Sequence, residues 1–163
     1  MNVTHKQKIG VLIFSSEGYC EQILAGASAT VWIAETVHEL GYERVIVASS
    51  GVLESKPEYF ETLQVQKNEG LRNVLEAARN QLYGCARIVV IDRIMPLITE
   101  KTLEGLVNST SPVAATFCDD KDEFSRGPFS FDTNWLYEKE SAFMSSADLV
   151  NMFIEEGGVV SRV

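Results

Sequence analysis

Positive charge is scarce in this chain. Lysine and arginine number 14 against 23 aspartate and glutamate residues, a formal net charge of −9 over 163 residues. That balance argues against broad binding to nucleic acid or an anionic membrane, because affinity for phosphate backbones rests on lysine and arginine. Cysteine is scarce as well. Cys20, Cys85 and Cys118 share no close spacing, which gives neither a disulfide framework nor a zinc site and predicts a reducing, cytoplasmic setting. The two histidines, His5 in a polar leader and His38 on the polar side of a helix, offer no Ser-His-Asp or Cys-His pair. No apolar run reaches the roughly 18 residues of a membrane span. Residues 1–8 read as polar rather than as a signal peptide, so no membrane association is expected.

What is present is ordinary globular material, 45% hydrophobic and 23% charged, and long enough for one domain over residues 1–163. Apolar strands alternate with amphipathic helices. Ile9 to Phe14 is a continuous apolar run, as a strand covered on both faces should be. Val31, Ala34, Val37 and Leu40 recur at helical spacing before Gly41, and residues 44–48 form a second apolar strand. Residues 62–66 read as a short third strand. Leu71, Val74, Leu75, Ala78 and Leu82 trace one helical stripe that Gly84 ends. Thr99 caps a helix running to Val107, residues 113–117 read as a strand, and 134–143 and 147–156 as helices. After Gly157-Gly158 comes a last strand at 159–163. Residues 119–128, dense in Asp and Glu, read as the one long solvated loop. Trp32 and Trp135 are expected to pack.

The most informative stretch is Arg87-Ile88-Val89-Val90-Ile91-Asp92-Arg93, followed by Met95-Pro96-Leu97. A buried strand here runs out into a lone carboxylate. Parallel α/β sheets bind ligands at the carboxyl ends of their strands, so Asp92 is either a site residue or a cap on the turn.

The order of these elements resembles the nucleotidyltransferase superfamily, particularly the cytidylyltransferases of isoprenoid and polyol-phosphate metabolism, with sugar-phosphate pyrophosphorylases next. Residues 9–48 follow the family's first strand, loop, helix and second strand. Ile88 to Asp92 with Pro96-Leu97-Ile98 is similar to its strand, metal-binding Asp and Arg-Pro turn. Gly127-Pro128-Phe129-Ser130-Phe131 and Ser145-Ser146-Ala147-Asp148-Leu149-Val150 are similar to two later segments. The resemblance implies a three-layer, Rossmann-like α/β fold of GT-A type with a mainly parallel central sheet. It also implies a nucleotide site at Ser15, Ser16 and Gly18 and around Lys67, Asn68, Gly70, Arg72 and Asn73. Asp92 would be the magnesium ligand, and Arg93 a catalytic cation beside it.

The departures concern charge. Nucleotidyl transfer depends on cations and a metal that neutralise phosphate. Where the family carries a basic, Gly-rich loop, this chain has Ser15-Ser16-Glu17-Gly18-Tyr19-Cys20-Glu21. Residues 22–30 hold no lysine or arginine, and Met95 replaces the arginine of the turn. Glu17 and Glu21 stand where a triphosphate would lie, and like charge there opposes binding. The sequence therefore predicts a catalytically degenerate domain. Such a domain would bind a nucleotide or sugar phosphate, or serve assembly as a homo-oligomer or with a protein partner. The alternative is an active, magnesium-dependent transferase for an atypical phosphorylated substrate, with Arg93 or Arg126 stabilising the departing pyrophosphate. Several residues read two ways: Gly18 as a ligand approach or a turn, Ser15 and Ser16 as phosphate donors or caps, and Lys67 to Asn73 as a pocket wall or a solvated helix start. Asp119, Asp120, Asp122 and Glu123 lack the spacing of a calcium loop.

Overall fold

The computed structural model describes residues 8–14, 23–24, 27–51, 58–92, 98–118 and 123–163. β1 (Ile9–Phe14) is followed by a small antiparallel pair, β2 (Ile23–Leu24) and β3 (Ala27–Ser28), and then by α1 (Ala29–Glu39). β4 (Arg44–Ser49), β5 (Glu61–Gln64) and α2 (Leu71–Ala77) come next, then β6 (Arg87–Ile91) and α3 (Glu100–Val107). β7 (Val113–Cys118), β8 (Glu123–Asp132), α4 (Thr133–Tyr137), α5 (Ser146–Glu155) and β9 (Ser161–Arg162) complete the described elements.

Seven strands form one sheet in the order β5-β4-β1-β6-β8-β7-β9. Every pairing in it is parallel except those of β8, which runs antiparallel to both β6 and β7. From β1 the chain steps to β4 and β5 on one side, then returns to β6 on the other, so β1 and β6 flank the point where strand order reverses. Ligand crevices of open α/β sheets lie there, beyond the carboxyl ends of the strands.

Side chains of a strand alternate between faces, and both faces of this sheet are covered. Leu12, Phe14, Ile88 and Val90 pack with Leu71, Val74 and Leu75 of α2 and Leu149, Val150 and Phe153 of α5. Val11, Ile13, Val89 and Ile91 pack on the opposite face with Val31, Ile33, Ala34 and Val37 of α1 and Leu103 and Leu106 of α3. The result is the expected three-layer, Rossmann-like α/β arrangement with a mainly parallel sheet.

Several local expectations are corrected. Residues 119–128 are not one loop: β8 begins at Glu123, its backbone in register with Cys118, because an antiparallel partner needs only a short connection. α2 ends at Ala77 rather than Leu82. Beyond it the chain tightens into turns, Arg79 N–H donating to Glu76 O at 3.3 Å and Tyr83 N–H to Asn80 O at 3.3 Å, while Ala78 and Leu82 stay buried. The helix expected over 134–143 stops at Tyr137, since the carbonyls of Lys139, Ser141, Phe143 and Met144 take donors from α2 instead of from a continuing helix. Trp135 packs between Phe131 and Phe153, but Trp32 is 41% exposed on the solvent side of α1.

Candidate functional site

Asp92 stands one residue beyond β6. The register pairs Ile13 with Ile91, so Asp92 comes beside Phe14, the last residue of β1, and the two strands release their chains side by side. Its carboxylate is held from the far end of the sequence. Ser146 N–H, the first amide of α5, donates to Asp92 Oδ2 at 3.0 Å. α5 starts there because Ser145 caps it: the Ser145 hydroxyl accepts from Asp148 N–H while Asp148 accepts from Ser145 N–H, a reciprocal capping box. On its other side Asp92 meets Gly127, whose φ of +116° suits glycine, and where a Cβ would come within 3.4 Å of Asp92 Oδ1.

The start of α2 is tied to the same place. Gly70 N-caps the helix without a side chain. Leu71 N–H donates to Met144 O at 2.9 Å and Arg72 N–H to Phe143 O at 3.2 Å. Residues 143–146 thus form a strap whose carbonyls cover the first amides of α2 and whose last amide holds Asp92. Ser146 follows Met144 by two positions, a span of at most about 7 Å. These amides of α2, which could otherwise cradle an anion, are engaged by protein carbonyls.

Cations along α2 and beside the end of α5 are mostly committed to protein groups. The Arg72 guanidinium donates to Lys139 O and Ser141 O, pairs with Glu76 at 3.5 Å and lies over the Phe143 ring. Arg79 pairs with Glu76 at 3.3 Å and sits over Tyr137. Lys139 binds Glu156 at 2.6 Å and lies over Trp135. Lys67 and Asn68 are exposed in the turn between β5 and α2, where Asn68 has a left-handed φ of 62° and Gln66 N–H donates to Glu69 Oε2 at 2.9 Å. Lys67 makes no ion pair among the described residues. Tyr137 supports α2 from below, its hydroxyl donating to Leu75 O at 3.0 Å, and burial pushes its pKa up to about 12.

Among the expected site residues, Asp92 and the group Gly70, Arg72 and Asn73 are joined through the 143–146 strap, with Lys67 and Asn68 just before it. Arg72 faces the 139–141 backbone, and Asn73 is exposed. Ser15, Ser16, Gly18 and Arg93 lie outside the described residues, as do Glu17, Glu21, Met95 and residues 119–122. Sequence reasoning singled out Ser145 to Val150 but not the bond from Ser146 to Asp92. The Ser-x-x-Asp pattern announces a helix start, yet nothing local reports a partner 54 residues earlier.

Among the described residues, no three His, Cys, Asp or Glu side chains gather as a metal-holding group. A divalent cation held by a single carboxylate completes its shell with other oxygen ligands, and Asp92 is the strand-end carboxylate here that could supply one. No helix among the described residues is long and apolar enough to cross a membrane.

The fold is one that the chain shares with a solved nucleotidyl transferase and a solved cytidylyltransferase. Solved structures that share it include Rv0371c of Mycobacterium tuberculosis H37Rv in complex with manganese, 12% identical, with a TM-score of 0.72 over 96% of this chain and 87% of that one. Another is the 4-diphosphocytidyl-2C-methyl-D-erythritol synthase of Anaerococcus prevotii, 13% identical, with a TM-score of 0.70 over 96% and 88%. A third is a CMP:2-keto-3-deoxy-manno-octonic acid synthetase complexed with CTP, 13% identical, with a TM-score of 0.62 over 96% and 89%. No protein-family model matches the chain. No curated protein matches it either.

Proposed function

We propose that this domain binds a nucleotide or sugar phosphate at the carboxyl edge of its sheet and does not transfer the nucleotidyl group. It would act in the cytoplasm as a binding or assembly subunit, as a homo-oligomer or with a protein partner. The ligand meets Ser15, Ser16 and Gly18 after β1 and Lys67, Asn68, Gly70 and Asn73 around the start of α2, while Arg72 fixes the first turn of that helix. The observation that carries this reading is the commitment of Arg72, the cation at the start of α2, which is engaged by protein carbonyls, a carboxylate and a ring. Phosphoryl chemistry needs positive charge aimed at the transferring group, and residues 15–30 add none. The CTP bound in one structural neighbour makes CTP the first ligand to try.

A second reading keeps an active, magnesium-dependent transferase, with Asp92 holding magnesium and Arg93 stabilising the departing pyrophosphate. It is favoured by the place of Asp92 beside the end of β1 and by the manganese complex of a structural neighbour. Magnesium is required only here.

One experiment separates the two. Thermal shift against nucleoside triphosphates and sugar phosphates with magnesium is run beside a pyrophosphate-release assay. Binding at a hundredfold the dissociation constant adds about 2.7 kcal/mol of stability. A shift without pyrophosphate is the expected result. Pyrophosphate release that Asp92→Ala abolishes establishes the second reading, and no shift with any compound removes the ligand from both.

A further inference from the structure

Three successive amides lie at the start of α5. Met144 N–H and Ser145 N–H both donate to Asp148 Oδ2, at 2.9 and 3.0 Å. The next, Ser146 N–H, donates instead to Asp92 Oδ2 at 3.0 Å. Helix starts leave such amides without intrahelical partners, and a carboxylate there gains both the hydrogen bond and the favourable end of the helix dipole. Ser146 is fully buried, so this donor is shielded from competing water. Gly127 leaves room at Oδ1, where a Cβ would come to 3.4 Å, and its carbonyl accepts from the Thr116 hydroxyl at 2.9 Å.

We propose that Ser146, through its main-chain N–H, is the positioning residue for Asp92, setting the rotamer of the carboxylate beside the ends of β1 and β6. The proposal deepens the second reading, in which Asp92 holds magnesium beside the nucleotide, and rests on it. The strap gives the arrangement its rigidity: shifting Ser146 also shifts the Met144 carbonyl that receives Leu71 N–H, so Asp92 and the first turn of α2 keep a constant separation.

The test is Ser146→Pro. Proline removes the one N–H in question at the first helical position, where it is best tolerated. Ser145 already has the extended backbone, φ −140° and ψ 168°, that a residue before proline requires. Asp148→Ala is the structural control: it breaks the capping box at the same helix start without touching the Ser146 amide. Calorimetric titration with CTP and magnesium should show Ser146→Pro weakened by about tenfold, the scale of one charge-assisted hydrogen bond. Asp148→Ala should stay within about twofold at a comparable loss of melting temperature. Equal affinity of Ser146→Pro and wild type overturns the proposal. Amide NMR provides an arm that needs no ligand, since the Ser146 N–H resonance should move upfield in Asp92→Asn. Should the wild type bind no CTP, the nucleotide reading fails and the amide arm decides the positioning alone. A resonance unmoved by Asp92→Asn overturns it, and a moved one upholds it.

Discussion

Inside the sheet, the guanidinium of Arg87 donates to the Ser130 hydroxyl at 2.9 Å, and that hydroxyl donates in turn to Leu106 O at 2.7 Å. Arg87 also reaches Ser111 O, so one buried cation ties β6 to β8, to the loop before β7 and, through Ser130, to the end of α3. Burial pulls its pKa below the ordinary value, and Asp132 across the ladder works against that. Arg87→Met should cost about 2–4 kcal/mol in urea unfolding, because acceptors arranged for a cation lose it. Ser130→Ala should cost less, about 1–2 kcal/mol, and the pair should be non-additive. Additive losses would show that the two side chains act separately.

Alkaline pH should expose Tyr137. Its folded pKa of about 12 lies above the usual 10.0, chiefly through burial, so the unfolded chain ionises first. The stabilisation is complete below about pH 10 and is lost as pH rises toward about 12. Tyr42 and Tyr59 shift in the same direction, so wild type is compared with Tyr137→Phe. The variant should start less stable, lacking the bond to Leu75 O, and lose less on going from pH 9 to pH 11. Parallel stability curves for the two proteins would contradict this.

Two glycines near helix ends should respond differently to alanine. A Cβ at Gly158 would fall 2.5 Å from Cζ of the Phe153 ring, a buried group of the α5 face, so Gly158→Ala should cost about 1–3 kcal/mol by overpacking. Gly41 has a φ of +89° and open space around it, leaving backbone strain of about 1 kcal/mol as its whole cost. Chemical denaturation of both variants checks the order.

Ligand binding should separate Lys67 from Arg72. Lys67 is exposed and makes no ion pair among the described residues, whereas Arg72 is bound to the 139–141 backbone. Lys67→Ala should weaken CTP binding several-fold with little change in melting temperature. Arg72→Ala should lower the melting temperature by a few degrees and affect binding less. The reverse pattern would make Arg72 the phosphate contact.

Much of the fold is legible in the sequence because buried parallel strands write themselves as unbroken apolar runs: Ile9 to Phe14, Val45 to Ala48 and Ile88 to Ile91 all emerge as strands. The stripe from Leu71 to Leu82 marks the buried face correctly but not the end of α2, since turns with three-residue bonds can carry the same stripe inward. β8 escapes notice because its first residues are charged and its order comes from two neighbouring strands, which no local pattern reports. At the site, Asp92 is legible as a strand-end carboxylate. Its link to Ser146 is not, since a main-chain amide has the same chemistry in every residue but proline.

β6 is five residues long, with Arg87 at one end and Asp92 just past the other. Substitutions at the Arg87 end should appear as changes in abundance, and those at the Asp92 end as changes in occupancy by ligand. A mutational scan scoring these two properties separately would therefore find the boundary between them within a single strand, near Val89.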